Sequence, residues 1–225
     1  MSYYKVELLK RSWQKGLKAF LTQLFLVVRR YLIRKSYLRV YAIECDMIKN
    51  DPIFGLEGLG CYTYKSREEI PFEFKKILDN QKLVLFVQKK INLLKEWRLW
   101  LFTLDNNPAV VGYSYPGNLA HNFYFPMTSS SIYIDLIYTI PQYRGRGLMP
   151  LLLKRMIYGS KTEGFERAFL IVDEYNLSSI SGIEKAGFHP IGRGIINNRT
   201  GGKKWYPQNN PSLPSLITFK AIKTP

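Results

Sequence analysis

Cysteine and histidine are scarce in this chain, with two of each in 225 residues. Cys45 and Cys61 form no Cys-x-x-Cys pair, which excludes a disulfide framework and a thiolate zinc site and suits a reducing compartment. His121 and His189 give no metal-ligand spacing and no carboxylate cluster replaces them, so no metal is expected. Long hydrophobic runs are missing too. The longest uncharged stretch near the start, Ala19–Val28, contains Thr22 and Gln23 and is about half of what a membrane-spanning helix needs. With no secretory pattern visible, the expected location is the cytoplasm. Repeats and low-complexity tracts are also absent.

Acidic residues are missing from particular places. The chain holds 33 Lys+Arg against 17 Asp+Glu, a net charge of +16. Residues 1–40 carry ten basic residues and one acid, Glu7, and residues 191–225 carry six basic residues and none. The middle, 41–190, is nearly neutral, with 17 basic and 16 acidic residues. Basicity therefore belongs to the two ends. That split disfavours a uniformly basic nucleic-acid binder, and no base-reading motif is visible, so nucleic acid is not an expected partner.

What is present is apolar substance: 46% hydrophobic and 15% aromatic residues, enough for a sizeable core. From Leu9 to about Lys35, the residues Trp13, Leu17, Phe20, Leu21, Leu24, Val28 and Tyr31 recur at steps of three and four, with basic residues opposite. The pattern predicts an amphipathic helix from Leu9 to about Lys35, within a basic segment 1–36, that packs on the domain, lies in the plane of an anionic membrane or binds a partner. Residues 37–225 form the domain proper. Tyr37–Cys45 reads as a strand, 46–64 as a Gly-rich loop, and Ser66–Trp97 as mainly helical. Leu99–Leu104 and Ala109–Tyr115 read as a hairpin around the turn 105–108. A strand over Ser131–Ile140, a helix over Gly147–Ser160, a strand over Arg167–Val172, a helix over Leu177–Ala186 and a strand over Phe188–Ile196 follow. A connection over 197–214 leads to a last strand, Ser215–Ile222.

Chemistry concentrates in Ile132–Gly187. A strand runs into Gln142-Tyr143-Arg144-Gly145-Arg146-Gly147-Leu148 and then into a helix. Two glycines two apart permit a tight turn, and the first N–H groups of the new helix lack internal partners and favour anions. Pro150, within the first turn, loses nothing by its missing N–H. Such a turn suits a pyrophosphate. Gly147 is followed by Leu148-Met149, not Lys-Ser/Thr, so it is no P-loop, and Pro150 stands where a dinucleotide fingerprint needs its third glycine.

Gln142-x-x-Gly145-x-Gly147 after a strand, Asn176 past the next strand, and Ile183-Glu184-Lys185-Ala186-Gly187-Phe188 together resemble the GCN5-related N-acetyltransferase (GNAT) superfamily, best over 98–222. The resemblance implies an α/β (α+β) fold, with a mixed, mostly antiparallel sheet flanked by helices, here with the extra N-terminal amphipathic helix. It also implies acetyl-CoA as co-substrate. Backbone N–H groups from Arg144 through Leu148 (Arg144, Gly145, Arg146, Gly147, Leu148), with Gln142 opening the turn, would hold the pyrophosphate. Asn176 would bond the pantetheine arm or order the short helix. The strand backbone at Tyr138–Ile140 would pair with the pantetheine, and an N–H there would face the thioester oxygen.

The implied reaction is direct attack of a primary amine on the thioester. Asp135 and Glu174 are the acids at a suitable height for a base, with Tyr138 beside them. Alternation puts Asp135 opposite Ile134, Leu136 and Tyr138, unless a bulge reverses that parity. Ile183 occupies the position where many family members place an acidic tyrosine, which leaves Tyr175, Ser179 and Ser181 for that role. The expected acceptor is a small molecule, such as an amino sugar. A longer acyl donor, carried on CoA or on an acidic acyl carrier protein that the basic first segment would attract, is the alternative, and a non-catalytic CoA-binding or membrane-recruitment module is another.

Overall fold

The computed structural model describes residues 35–75, 96–120, 123–197 and 202–208, with the helical positions Leu17, Leu21 and Leu24. Among them are strands β1 (Lys35–Glu44), β2 (Leu59–Tyr64), β3 (Arg98–Leu104), β4 (Asn107–Pro116), β5 (Ser131–Thr139), β6 (Arg167–Asp173), β7 (His189–Asn197) and β8 (Lys203–Pro207). Helix α1 spans Leu148–Thr162 and helix α2 Leu177–Lys185. The strands form one sheet in the order β2-β3-β4-β5-β6-β1-β7-β8. Every described pairing is antiparallel except β5 with β6. This is the mixed, mostly antiparallel sheet flanked by helices that the sequence motifs imply.

Local chemistry explains the hairpin. Asp105 and Asn106 take φ of 50° and 63°, the left-handed values a two-residue hairpin turn demands and these two residue types tolerate. The turn is therefore tighter than the expected 105–108, and Asn107 and Pro108 join β4. Thr103 faces Pro108 while Phe102 faces Val110. The extra residue, Ala109, makes a bulge next to a proline that cannot donate to the ladder.

Two apolar layers cover the sheet. Leu148, Leu152, Leu153, Met156 and Ile157 of α1 pack on Trp100, Phe102, Ile132, Ile134 and Leu170. The other face gathers Val40, Leu99, Leu101, Tyr113, Tyr115, Tyr133 and Phe169. Residues of β3 alternate between the layers, so the strand is apolar throughout. Trp100, 2% exposed, donates from Nε1 to Ser114 Oγ at 2.9 Å. Gly159 of α1 gives its ring room, since a Cβ there would lie 2.4 Å from it. Truncating Trp100 to alanine would cost about 3–5 kcal/mol.

Two segments differ from expectation. Residues 46–64 are not all loop, because Leu59–Tyr64 pairs along β3 as an edge strand. The connection over 197–214 contains β8, paired to β7. Both are short and glycine-flanked, and a neighbour's ladder rather than their own pattern makes them strands. Of the helix expected over 66–97, a turn at 72–75 is described. The rest of it, His121, most of the first-segment helix and the last strand at 215–222 lie outside the described residues.

Candidate active site

The site begins where two strands part. Parallel pairing of β5 with β6 runs from Ser131↔Arg167 to Ile134↔Leu170 and stops, although β5 continues to Thr139 and β6 to Asp173. On its other edge β5 stays paired with β4 up to Thr139↔Val110. Past Ile134, then, one edge of β5 opens into a gap.

Hydrogen-bond parity says which groups line that gap. The Ile140 N–H donates to Ala109 O at 2.9 Å, and Ile140 O accepts from Tyr143 N–H at 2.9 Å. Alternation then turns the N–H of Tyr138 toward its β4 partner Val111, and those of Ile137 and Thr139 toward the gap. Thr139 O agrees, because it accepts from Arg144 Nε at 3.0 Å. The expected pairing strip Tyr138–Ile140 is corrected by this: Ile140 and Tyr138 face β4, and Ile137 and Thr139 present the open edge. Tyr138 contributes instead its ring, which lies beneath the Arg144 guanidinium at 5.5 Å.

At the end of β5, the turn Pro141–Tyr143 carries Gln142 on the surface and leads to Gly145 and Gly147. Their φ values are 81° and 72°, a region that side chains other than glycine resist. A Cβ on either would meet nothing within 4 Å, so no packing inside the protein requires these glycines. Gly147 is the N-cap of α1 and no side chain caps the helix. The first N–H groups of α1 have no intrahelical partner, and Pro150 has none to offer. The Arg144 N–H donates to Pro141 O at 3.3 Å, which takes it out of the expected set and leaves Gly145 through Leu148. Residues 141–162 contain no acid. Arg144 is tied to β5, and Arg146 lies over the Tyr143 ring at 5.6 Å. Two left-handed glycines facing open space, a bare helix N-terminus and an all-basic surround fit the pyrophosphate of acetyl-CoA.

Asn176 acts on its own helix. Its Oδ1 accepts from Ser179 N–H at 3.3 Å and Ser178 Oγ–H at 3.1 Å, an N-cap for α2. That is the second of the two roles expected for it.

Between the candidate bases, geometry separates Asp135 from Glu174. Ser114 faces Ile134 and Tyr113 faces Leu136, so Asp135 is the extra residue of a bulge. Simple alternation fails here: Leu136 and Tyr138 pack with the layer containing Tyr113 and Tyr133, Ile134 with the α1 layer. Asp135 is the first β5 residue beyond the last β6 pair. Burial, with the Asp135 charge added, pushes the phenols of Tyr113, Tyr115 and Tyr133 well above the ordinary tyrosine value. Glu174 pairs with Arg193, and its N–H donates to Tyr37 O at 3.0 Å. Ile183 is 3% exposed and lies in the core. Tyr175, 39% exposed, stands beside the Asn176 cap. Sequence reasoning did not single out Tyr113 or Ile137, while Thr139 lies inside the strip it named. Tyr113 reads as one more apolar hairpin residue, and the direction of Ile137 follows only from the pairing of Ile140 with β4.

Residues 71–188, just over half of the chain, match the acetyltransferase (GNAT) family. The chain belongs to that family. Solved structures with a similar fold include a functionally unknown conserved protein from Staphylococcus epidermidis, 13% identical over 76% of this chain and 65% of that one, with a TM-score of 0.51. A GCN5-related N-acetyltransferase from Sphaerobacter thermophilus is 16% identical over 78% of this chain and 53% of that one, with a TM-score of 0.49. This chain therefore spans less than two thirds of the length of either. None of the curated proteins matches. Among the described residues no group of three or more His, Cys, Asp or Glu could hold a metal, and no helix is long and apolar enough to cross a membrane.

Proposed function

We propose that this GNAT protein moves an acetyl group from acetyl-CoA to the primary amine of a small molecule, an amino sugar or another amine. The observation that carries the reading is the meeting of the open β5 edge with the Gly145–Leu148 turn. Bound there, acetyl-CoA supplies an acetyl thioester open to attack by an amine. Backbone N–H groups from Gly145 to Leu148 hold the pyrophosphate. Ile137 and Thr139 pair with the pantetheine amides, and one of their N–H groups donates to the thioester oxygen as negative charge grows on it. Asp135 takes the proton from the attacking amine. With Ile183 buried, the departing sulfur takes its proton from Tyr175 or from water.

Calorimetric titration with acetyl-CoA and CoA, followed by thiol release with amines, tests this. Saturable one-to-one binding and amine-dependent thiol release are expected. A folded sample that binds neither thioester nor thiol sinks the reading. Turnover of long-chain acyl-CoA or acyl carrier protein alone would shift the donor to the longer acyl group.

A second property has its own observation. Leu17 and Leu21, one helical turn apart, are 62% and 53% exposed, within a forty-residue segment of net charge +9. Exposed leucines amid basic residues support a helix lying on an anionic membrane rather than packed on the domain, and a cytoplasmic enzyme held at that surface. Sedimentation with phosphatidylglycerol vesicles is expected to fall at least tenfold in a Leu17→Asp/Leu21→Asp variant. Unchanged sedimentation would leave charge as the whole of the attraction, and binding to acyl carrier protein instead would reassign the segment.

A further inference from the structure

We propose that Tyr113 and Asp135 form the subsite for the acceptor's amino group, and that the acceptor is a monoamine with an apolar or aromatic body. This rests on the acetyltransferase reading and narrows its substrate.

The bulge makes the pair. Because Ile134 faces Ser114 and Leu136 faces Tyr113, Asp135 and Leu136 share one cross-strand neighbour, and that neighbour is Tyr113. In such a bulge both residues incline to the side of the residue they oppose. Asp135 lies just past Ile134↔Leu170, the last β5–β6 pair, at the mouth of the gap that Ile137 and Thr139 line. An amine held here stands two to four residues along β5 from the Ile137 and Thr139 N–H groups, one of which would face the thioester oxygen.

Tyr113 supplies the second observation. The residue is 1% exposed, and its hydroxyl is buried with no hydrogen-bond partner. A buried hydroxyl without a partner is uncommon and costly, and calls for an explanation. An amine hydrogen-bonded to Asp135 would give this phenol its partner. Burial keeps the phenol neutral, so it can donate or accept.

The surroundings choose the rest of the molecule. Trp97 stacks on Tyr113 with ring centroids 5.5 Å apart, Tyr115 meets Tyr113 at 6.4 Å, and Tyr133 meets Tyr115 edge-on at 5.3 Å. Aromatic faces beside one carboxylate attract an ammonium group and its apolar body. A polycation is another matter. Strands β3, β4 and β5 together carry a single acid, Asp135. Additional ammonium groups would find no second carboxylate on these strands.

The test uses the full chain saturated with CoA, titrated with phenethylamine and, in parallel, with kanamycin. Phenethylamine is expected to bind, and to bind about tenfold or more weakly in Tyr113→Phe and in Asp135→Asn. CoA affinity should stay unchanged in both variants. Tyr113→Phe removes only an unpartnered hydroxyl, so its Tm should not fall, which separates a lost contact from a damaged fold. In thiol-release assays with acetyl-CoA, the KM for phenethylamine should rise in Tyr113→Phe more than kcat falls. Preference for kanamycin, no binding of phenethylamine, or equal affinity in Tyr113→Phe would each overturn the proposal while CoA binding leaves the acetyltransferase reading intact. Loss of CoA binding in the wild-type protein would instead mark failure of that reading, and the proposal would fall with it.

Discussion

Gly147 offers a substitution in which fold and ligand binding separate cleanly. In Gly147→Asp the new Cβ meets nothing within 4 Å, so there is no clash. Holding an L-residue at φ 72° costs about 1 kcal/mol. Because Gly147 is the uncapped N-cap of α1, an aspartate there regains a few tenths of a kcal/mol by accepting from the first-turn N–H groups. The net shift in Tm should stay within about 4 °C for a chain of this length.

Ligand binding should respond quite differently. Two unit charges about 4 Å apart repel by about 1 kcal/mol in water and about 4 kcal/mol at an effective dielectric of 20. A carboxylate placed against a pyrophosphate should therefore oppose binding by about 2–4 kcal/mol, or roughly 30- to 1,000-fold. Gly147→Ala adds strain without charge and should lose about tenfold at most. Calorimetry with acetyl-CoA, beside thermal unfolding, reads both variants. Wild-type affinity in Gly147→Asp, with Tm preserved, would refute the pyrophosphate placement. Equal losses in the two variants would show that backbone conformation, and not charge, governs the turn.

The two candidate bases predict opposite outcomes. Asp135→Asn should lower kcat at least a hundredfold, whereas Glu174→Gln, which loosens the contact to the exposed Arg193, should change it less than threefold; steady-state kinetics with the best acceptor decides, and the reverse pattern would exchange their roles. A third prediction concerns the thiols. Burial pushes Cys61 up to about 11 and Cys45 up to about 12. Both are thus raised above the unfolded value, so they stay protonated and should react slowly with iodoacetamide in the native protein through pH 9. The stability they contribute is complete below about pH 9 and is lost as pH rises through 11–12, because the unfolded chain ionises first. A Tm that holds steady across that range would contradict their burial.

Much of the fold was legible because its signals are local. The segment from Ser131 to Phe188 is read from glycine spacing, apolar periodicity and caps, all properties of neighbouring residues. Gln142, Gly145 and Gly147 mark a tight strand-to-helix turn of the family's type, and Asn176 sits where a helix cap belongs. Strands β2 and β8 escaped notice because a short, glycine-rich segment becomes a strand through its neighbour's ladder. The family motifs likewise pointed to Asp135 and Glu174 together, with nothing in the sequence to divide them.

By itself, the sequence determined the elements from Ser131 to Phe188, the glycine turn at 142–147 and the family motifs, since each rests on residue types at fixed spacing along the chain. Only the tertiary structure placed the candidate groups relative to one another. The bulge at Asp135 set which residues of β5 face Tyr113. The parting of β5 from β6 after Ile134 turned Ile137 and Thr139, rather than Tyr138 and Ile140, toward the gap. Arg193 of β7 engaged Glu174, and the end of the β5–β6 pairing set Asp135 at the mouth. Each of these depends on register between strands brought together from far apart in the chain, and a one-residue change in register reverses the direction of every group beyond it.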